Sequence, residues 1–323
     1  MELSSLRLVA ALAVTGVALV GCSAEPTESE SEAASAVVQG VIRVDRTVSE
    51  EGVASTISAK FLRAQADDIT SAERLVGTQL EIPNEGDCTL PADTRAASSL
   101  VRRPVDLVDV GDLSLRSNHE RHLEQQGAAQ GWQLTPRAFP DIGALVSGVF
   151  YTQPDGAFDP NLELELPAPG RYTVTATGAA SVDPFTFDVD APAVPTNVRV
   201  AGQSFAKDRD PSVVVGRDIP IEWDPEPARG AGDGLVYVDV HASKAYRCTF
   251  RDSGSAILPS DVLSSEDDAQ FVVISIHRVR EESVRVDLQP GAAQELTSVR
   301  FDYARSGRVA AVSRDSGLST SEP

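Results

Sequence analysis

The chain is poor in the residue types that most often carry catalysis or ligand recognition. Its 323 residues include 4 histidines, 3 cysteines and 1 methionine, and aromatic residues make up 5% of the chain. Four histidines restrict the choice of a general base, and few aromatics leave little material for a sugar-binding platform. The sequence also lacks a Gly-x-Ser-x-Gly elbow, a His-Glu-x-x-His motif and the glycine-rich loops that bind nucleotides. We therefore identify no catalytic residue and expect no cofactor.

Positive charge is scarce. The chain carries 28 basic and 48 acidic side chains, for a formal net charge of −20. A strongly acidic surface repels nucleic acid and anionic lipid headgroups, which excludes both as expected partners. Solubility is the simplest role of this charge, and acidic clusters that bind divalent cations are the alternative.

No apolar run is long enough to span a bilayer comfortably. The N-terminal run covers residues 8–20, whereas a spanning helix needs about 20 apolar residues. Its length fits the apolar region of a secretory signal, although Glu2 offsets the charge of Arg7 ahead of it. A plain secretory signal and an uncleaved membrane helix remain alternatives to the interpretation that follows.

The apolar run ends in Leu19-Val20-Gly21-Cys22, which resembles the lipobox of bacterial lipoproteins. The resemblance implies cleavage after Gly21 and acylation of Cys22, with palmitate among the acyl chains. Two or three chains would make membrane attachment effectively permanent. Ser23 stands where that family often has an aspartate for inner-membrane retention, which favours the outer membrane of the cell envelope over the inner.

Composition and residue pattern divide the chain into five expected segments. Residues 1–21 form the expected signal peptide, and residues 22–36 form an acylated cysteine with an acidic, disordered tether. Two β-sandwich domains are expected over residues 37–190 and 196–312, joined by a proline-containing linker. A disordered tail is expected over residues 313–323. The expected fold class is all-β.

Alternating apolar and polar residues support the two sandwiches. Residues 172–176, 185–189 and 236–240 alternate with period two, which indicates strands with one buried face. Roughly seven such strands follow residue 196, as in immunoglobulin-like or fibronectin-like sandwiches. One short helix is expected over residues 117–126, where Ser117 and Glu120 form a capping box.

Two short segments resemble known domain families. Residues 169–175 resemble the late turn and strand of bacterial immunoglobulin-like domains. Residues 195–200 and 219–223 resemble the opening of a fibronectin type III domain, with Trp223 where such domains often bury a tryptophan. Both resemblances imply β-sandwiches, and neither implies a function.

Several residues could form sites. His119 and His122 lie about one helical turn apart and could share a metal with Glu120 or Glu124, or could belong to a solvated helix face. Residues 155–161 could supply oxygen ligands to calcium or form a plain turn. His241 and His277 are expected to be exposed near strand ends.

The two cysteines beyond the anchor form a candidate disulfide. Export places Cys88 and Cys248 in an oxidising compartment, where a bond would close a loop of 160 residues (248 minus 88). Alternatively, Cys248 is a plain core residue, because it alternates with Tyr246 and Phe250 on the inward side of a strand.

Together these features favour a lipid-anchored cell-envelope protein with a non-enzymatic binding, adhesion or structural role. Its expected partners are the membrane, through Cys22, and an envelope protein or ligand. An envelope hydrolase or metal-dependent enzyme is the alternative.

Overall fold

Strands dominate the computed structural model, which confirms the all-β fold class. The structure describes residues 36–91, 104–118, 131–139, 145–153, 166, 168–180, 182–205, 209–227, 234–263, 270–286 and 296–313. The elements are β1 (Ala36–Val48), β2 (Val53–Gln65), α1 (Ile69–Val76), β3 (Cys88–Thr89), β4 (Val105–Leu107), β5 (Leu113–Ser117), β6 (Gly131–Ala138), β7 (Val146–Thr152), β8 (Gly170–Ala176), β9 (Phe185–Ala191), β10 (Arg199–Val200), β11 (Gln203–Ser204), β12 (Ser212–Val214), β13 (Ile219–Glu222), β14 (Leu235–His241), β15 (Ala245–Arg251), β16 (Ser255–Leu258), β17 (Phe271–Arg285) and β18 (Leu296–Val312).

The strands form one large sheet and one small sheet. The large sheet has 14 strands, in the order β3-β15-β14-β17-β18-β1-β2-β4-β7-β6-β5-β8-β9, with β12 pairing beside the end of β18. The small sheet has four strands in the order β11-β10-β13-β16. Because β1 pairs with β18 in parallel, the first and last described strands lie side by side within the large sheet.

Two hydrophobic cores lie against the large sheet. The first contains Phe61, Leu113 and Tyr172, and the second contains Ile221 and Trp223 together with the apolar face of β14. The long strands β17 and β18 contribute to both cores: Val284, Val299, Phe301 and Tyr303 to the first, and Val272, Ile274, Ile276 and Val309 to the second. Val286, just after the end of β17, also lies in the first core. Strand β17 runs without a break from Phe271 to Arg285, which lets it reach both cores.

The first core consists mainly of residues before the expected domain boundary, and the second mainly of residues after it. Strands β17 and β18 follow the boundary in sequence but contribute to both cores. The described residues, from Ala36 to Ser313, belong to one compact unit. The division into domains at residues 37–190 and 196–312 stays a prediction.

The expected linker between these regions is packed against charged side chains. Ala191 is fully buried at the end of β9. Arg278 donates to the carbonyl oxygen of Ala193 (3.0 Å), and the backbone N–H of Ala193 donates to Glu226 Oε1 (3.1 Å). Side chains from distant strands therefore satisfy backbone polar groups of this segment, and its role as a linker between two domains stays a prediction.

The described helix is not the one expected. Ser117 ends β5, and residues 119–126 of the expected helix lie outside the described part of the chain. Helix α1 lies elsewhere and ends at Gly77, whose φ of 71° suits glycine because that residue has no side chain to clash. It packs Ala72 and Val76 against Leu62 in a third, smaller apolar cluster. No helix among the described residues is long and apolar enough to cross a membrane.

Candidate functional site

Strand alternation places a row of polar and charged side chains on the face of the large sheet that points away from the two main cores. On β14, for example, Val236 and Val238 enter the second core, so Tyr237 and Asp239 point to the opposite side. We call the following residues the charged layer: Arg43, Asp45, Lys60, Tyr237, Asp239, Arg247, His277, Arg300 and Asp302. They come from six neighbouring strands, β15, β14, β17, β18, β1 and β2.

His277 lies at the centre of this layer between two carboxylates. Its Nδ1 is 2.7 Å from Asp302 Oδ1, and its Nε2 is 3.9 Å from Asp239 Oδ2. The Tyr237 hydroxyl donates to the other oxygen of Asp302. The side chain of His277 is 16% exposed, so the prediction of an exposed histidine is wrong. Alternation correctly assigned its side of the strand, but side chains from neighbouring strands cover it.

Aromatic and cationic groups stack beside the histidine. The rings of Tyr237 and His277 are nearly parallel, with centroids 4.3 Å apart. The Arg247 guanidinium lies 4.2 Å from the centroid of the Tyr237 ring, a distance at which a cation–π interaction is favourable. Arg247 also makes two 2.8 Å hydrogen bonds to the two oxygens of Asp239. Bidentate pairing of this kind fixes the orientation of both side chains.

The pKa values of the layer follow from burial and from these contacts. Burial alone would raise the pKa of Asp302, but the hydrogen bonds from His277 and Tyr237 outweigh it and hold the pKa below its usual value. Burial and the nearby charge of Asp302 raise the pKa of Tyr237 well above its usual value. At neutral pH the site therefore contains an ionised Asp302 and a protonated Tyr237 that donates to it.

Residues 77–91, which we call the crossing segment, run over the charged layer. Three cations of the layer donate to backbone carbonyl oxygens at or beside the start of this segment: Lys60 to Val76, Arg300 to Thr78 (2.6 Å) and Arg247 to Glu81 (3.1 Å). Near its far end, the N–H of Gly86 donates to the Thr249 carbonyl oxygen (2.8 Å). The segment is thus held at several points along its length by side chains and backbone of different strands.

A disulfide fastens the far end of the crossing segment. Cys88 of β3 lies opposite Cys248 of β15, with 4.0 Å between their Cα atoms, and the two sulfur atoms are bonded. Cys248 is also fully buried in the second core. The sequence left open whether Cys248 forms a disulfide or is a core residue, and in the structure it does both.

A second buried network lies beside the expected linker, near both cores. Arg278 is bidentate to Asp252, with contacts of 2.7 and 3.1 Å, and the Trp223 indole N–H donates to Asp252 (2.6 Å). The exposed fractions of the Arg278 and Asp252 side chains are 3% and 5%. The sequence shows no signal for this network beyond an arginine at an inward position of an apolar strand.

The contacts of the charged layer point to a fixed electrostatic network rather than a nucleophile–base pair. Both ring nitrogens of His277 face carboxylates, and Ser275, the next residue on the same strand face, donates to Ser306 Oγ (2.9 Å). Among the described residues, no group of three or more His, Cys, Asp and Glu is placed to hold a metal ion.

Several residues singled out by the sequence lie outside the described part of the chain: Cys22, His119, Glu120, His122, Glu124 and residues 155–161. His241 is exposed at the end of β14, as predicted.

An apolar patch lies on the same face of the large sheet, beyond the charged layer. Phe271 and Val273 of β17 are 48% and 40% exposed, and Val214 and Val312, which pair between β12 and β18, are 37% and 40% exposed. The Arg308 guanidinium lies 4.7 Å from the centroid of the Phe271 ring. We call these four residues the apolar patch. Their grouping could not be predicted, because it depends on the pairing of strands distant in sequence.

No protein-family model, curated protein or solved structure matches this chain.

Proposed function

We propose that the chain is a lipid-anchored cell-envelope protein that acts as a non-enzymatic binding, adhesion or structural module. The anchor is the acylated Cys22 of the lipobox-like motif, exposed after removal of residues 1–21, and the outer membrane is the favoured location. Residues 22–36 link the anchor to the folded part, whose β1 begins at Ala36.

The observation that best supports a binding role is the apolar patch. Large apolar side chains exposed singly are ordinary, but a contiguous group on one sheet face is typical of surfaces that contact a partner. Arg308 beside Phe271 adds a cation next to the apolar surface, and arginine and aromatic side chains are enriched in protein interfaces. The charged layer, by contrast, is largely enclosed by its own contacts and offers no comparable surface.

The anchor and the patch can be tested separately in intact envelopes. Cys22→Ser should abolish labelling by a palmitate analogue, whereas a labelled variant would overturn the anchor. The double variant with Phe271→Asp and Val273→Asp should no longer cross-link to the envelope partner that the wild-type protein contacts. Ile257→Asp is the matched control, because Ile257 is 61% exposed but lies on β16 of the small sheet. Equal cross-linking by both variants would contradict the proposed binding surface.

A further inference from the structure

The first strand of the folded part is held on both sides. On one side β1 pairs with β2, from Ala36 opposite Gln65 to Val48 opposite Val53. On the other side it pairs in parallel with β18, from Gln39 opposite Leu296 to Val48 opposite Arg305. The strand that directly follows the expected tether is therefore an interior strand of the large sheet and not an edge.

The parallel pairing sets where the two ends of the described chain emerge. In a parallel pair both strands run in the same direction, so the start of β1 lies beside the start of β18. Strand β18 continues past the end of this ladder to Val312. The N-terminal end of β1 and the C-terminal end of β18 consequently lie at opposite ends of the shared ladder.

Tension between these two ends acts along the strands. Ladder hydrogen bonds run across the strands, so sliding β1 past β18 loads many of them together. Pulling two strands apart from the same end instead opens the bonds one after another. Forced unfolding is limited by the unfolding barrier, and a barrier that requires many bonds to break together is the higher one.

We propose that the chain is a force-bearing link, in which the β1–β18 ladder carries tension between the anchored N-terminal side and whatever engages the opposite end. The role in the cell rests on the proposed anchor at Cys22, whereas the mechanical property belongs to the fold alone. β18 is itself secured by β17 along the whole length of β17, from Phe271 opposite Ala310 to Arg285 opposite Leu296.

The disulfide complements this ladder. Both β1 and β18 lie outside the loop that the bond between Cys88 and Cys248 closes. Residues 36 and 313 are 277 positions apart (313 minus 36), and the bond removes 160 of these, leaving 117 that tension can extend. At about 3.4 Å per residue, rupture of the oxidised protein releases at most about 40 nm of chain, against about 94 nm after reduction.

Single-molecule pulling on the oxidised full-length chain tests the proposal. One handle is attached at residue 22, and the other at either residue 323 or residue 296, through bioorthogonal residues so that no thiol is added. Leu296 is 39% exposed and lies opposite Gln39, so the second pair of handles peels the same strands that the first pair shears.

The shear geometry should need a rupture force roughly two-fold higher or more at the same loading rate. Equal or inverted forces would overturn the force-bearing role, even if Cys22 is acylated. Conversely, a higher shear force together with an unlabelled Cys22 would refute the anchor and leave the ladder's mechanical property in place.

Discussion

Asp45 of β1 and Asp302 of β18 lie directly opposite each other in the parallel ladder, yet their pKa values are shifted in opposite directions. Burial raises the pKa of Asp45, and its contacts with Arg43 and Thr56 do not compensate. Burial acts on Asp302 as well, but the hydrogen bonds from His277 and Tyr237 outweigh it. The pKa values of these two aspartates thus differ because a different strand lies on the outer side of each.

This difference predicts opposite pH dependences for two variants. The pKa of Asp302 is lower in the folded state, so its stabilisation is present above its ordinary pKa and is lost as pH falls through the folded value. The stability deficit of Asp302→Asn relative to the wild type should therefore shrink below about pH 4. For Asp45 the folded pKa is raised, so the deficit of Asp45→Asn should grow on acidification.

Urea denaturation over a series of pH values measures both variants against the wild type. Parallel stability curves for the two variants would show that the two carboxyl groups do not differ in the way that their contacts indicate.

The two arginine–carboxylate pairs at Arg278 and Arg251 have the same 2.7 Å contact but very different burial. Arg278→Ala leaves Asp252 buried without its cation, which should cost about 3–5 kcal/mol of unfolding free energy. Arg251→Ala removes the partner of Glu85, whose side chain is 46% exposed, and should cost at most about 1 kcal/mol. Chemical denaturation of both variants gives the comparison, and equal losses would refute the role of burial.

The segment around Ala191 should resist proteases. Its backbone is bound by Arg278 and Glu226, and cleavage requires local opening of the chain. Limited proteolysis with mass spectrometry should find no early cut between residues 191 and 194 in the wild type. The same sites should become early cuts in Arg278→Ala. Rapid cleavage of the wild type at these residues would instead support an open linker.

Loss of the disulfide should loosen the crossing segment before the rest of the sheet. A bond that closes a loop of 160 residues contributes on the order of 3–5 kcal/mol by restricting the unfolded chain. Replacing both Cys88 and Cys248 by Ala should lower stability by that order. It should also increase amide hydrogen exchange most in residues 77–91, with β8 as the internal reference. Uniform exchange changes across the described strands would contradict a local fastening role.

The sequence alone determined the features that depend on neighbouring residues. Alternation over residues 172–176 and 236–240 identified β8 and β14 and the side of each strand that is buried, because successive side chains point to opposite faces. The strand just before Trp223 was expected from the resemblance to a fibronectin type III opening, and β13 lies there at Ile219–Glu222. Helix α1 was missed although Gly77 marks its end, since an eight-residue helix carries little periodic signal.

Only the tertiary structure decided which strands lie together and what covers the outward face of the sheet. The pairing of β1 with β18 joins residues more than 240 positions apart, and no local pattern encodes such a partner. Alternation placed His277 on the outward side but could not show that Tyr237, Asp239 and Asp302 surround it. The sequence offered Cys88 and Cys248 as candidates, but the bond required β3 and β15 to meet in space. Period-two alternation specifies a side of a strand, whereas burial, charge pairing and the direction of load depend on contacts that form only when the whole chain folds.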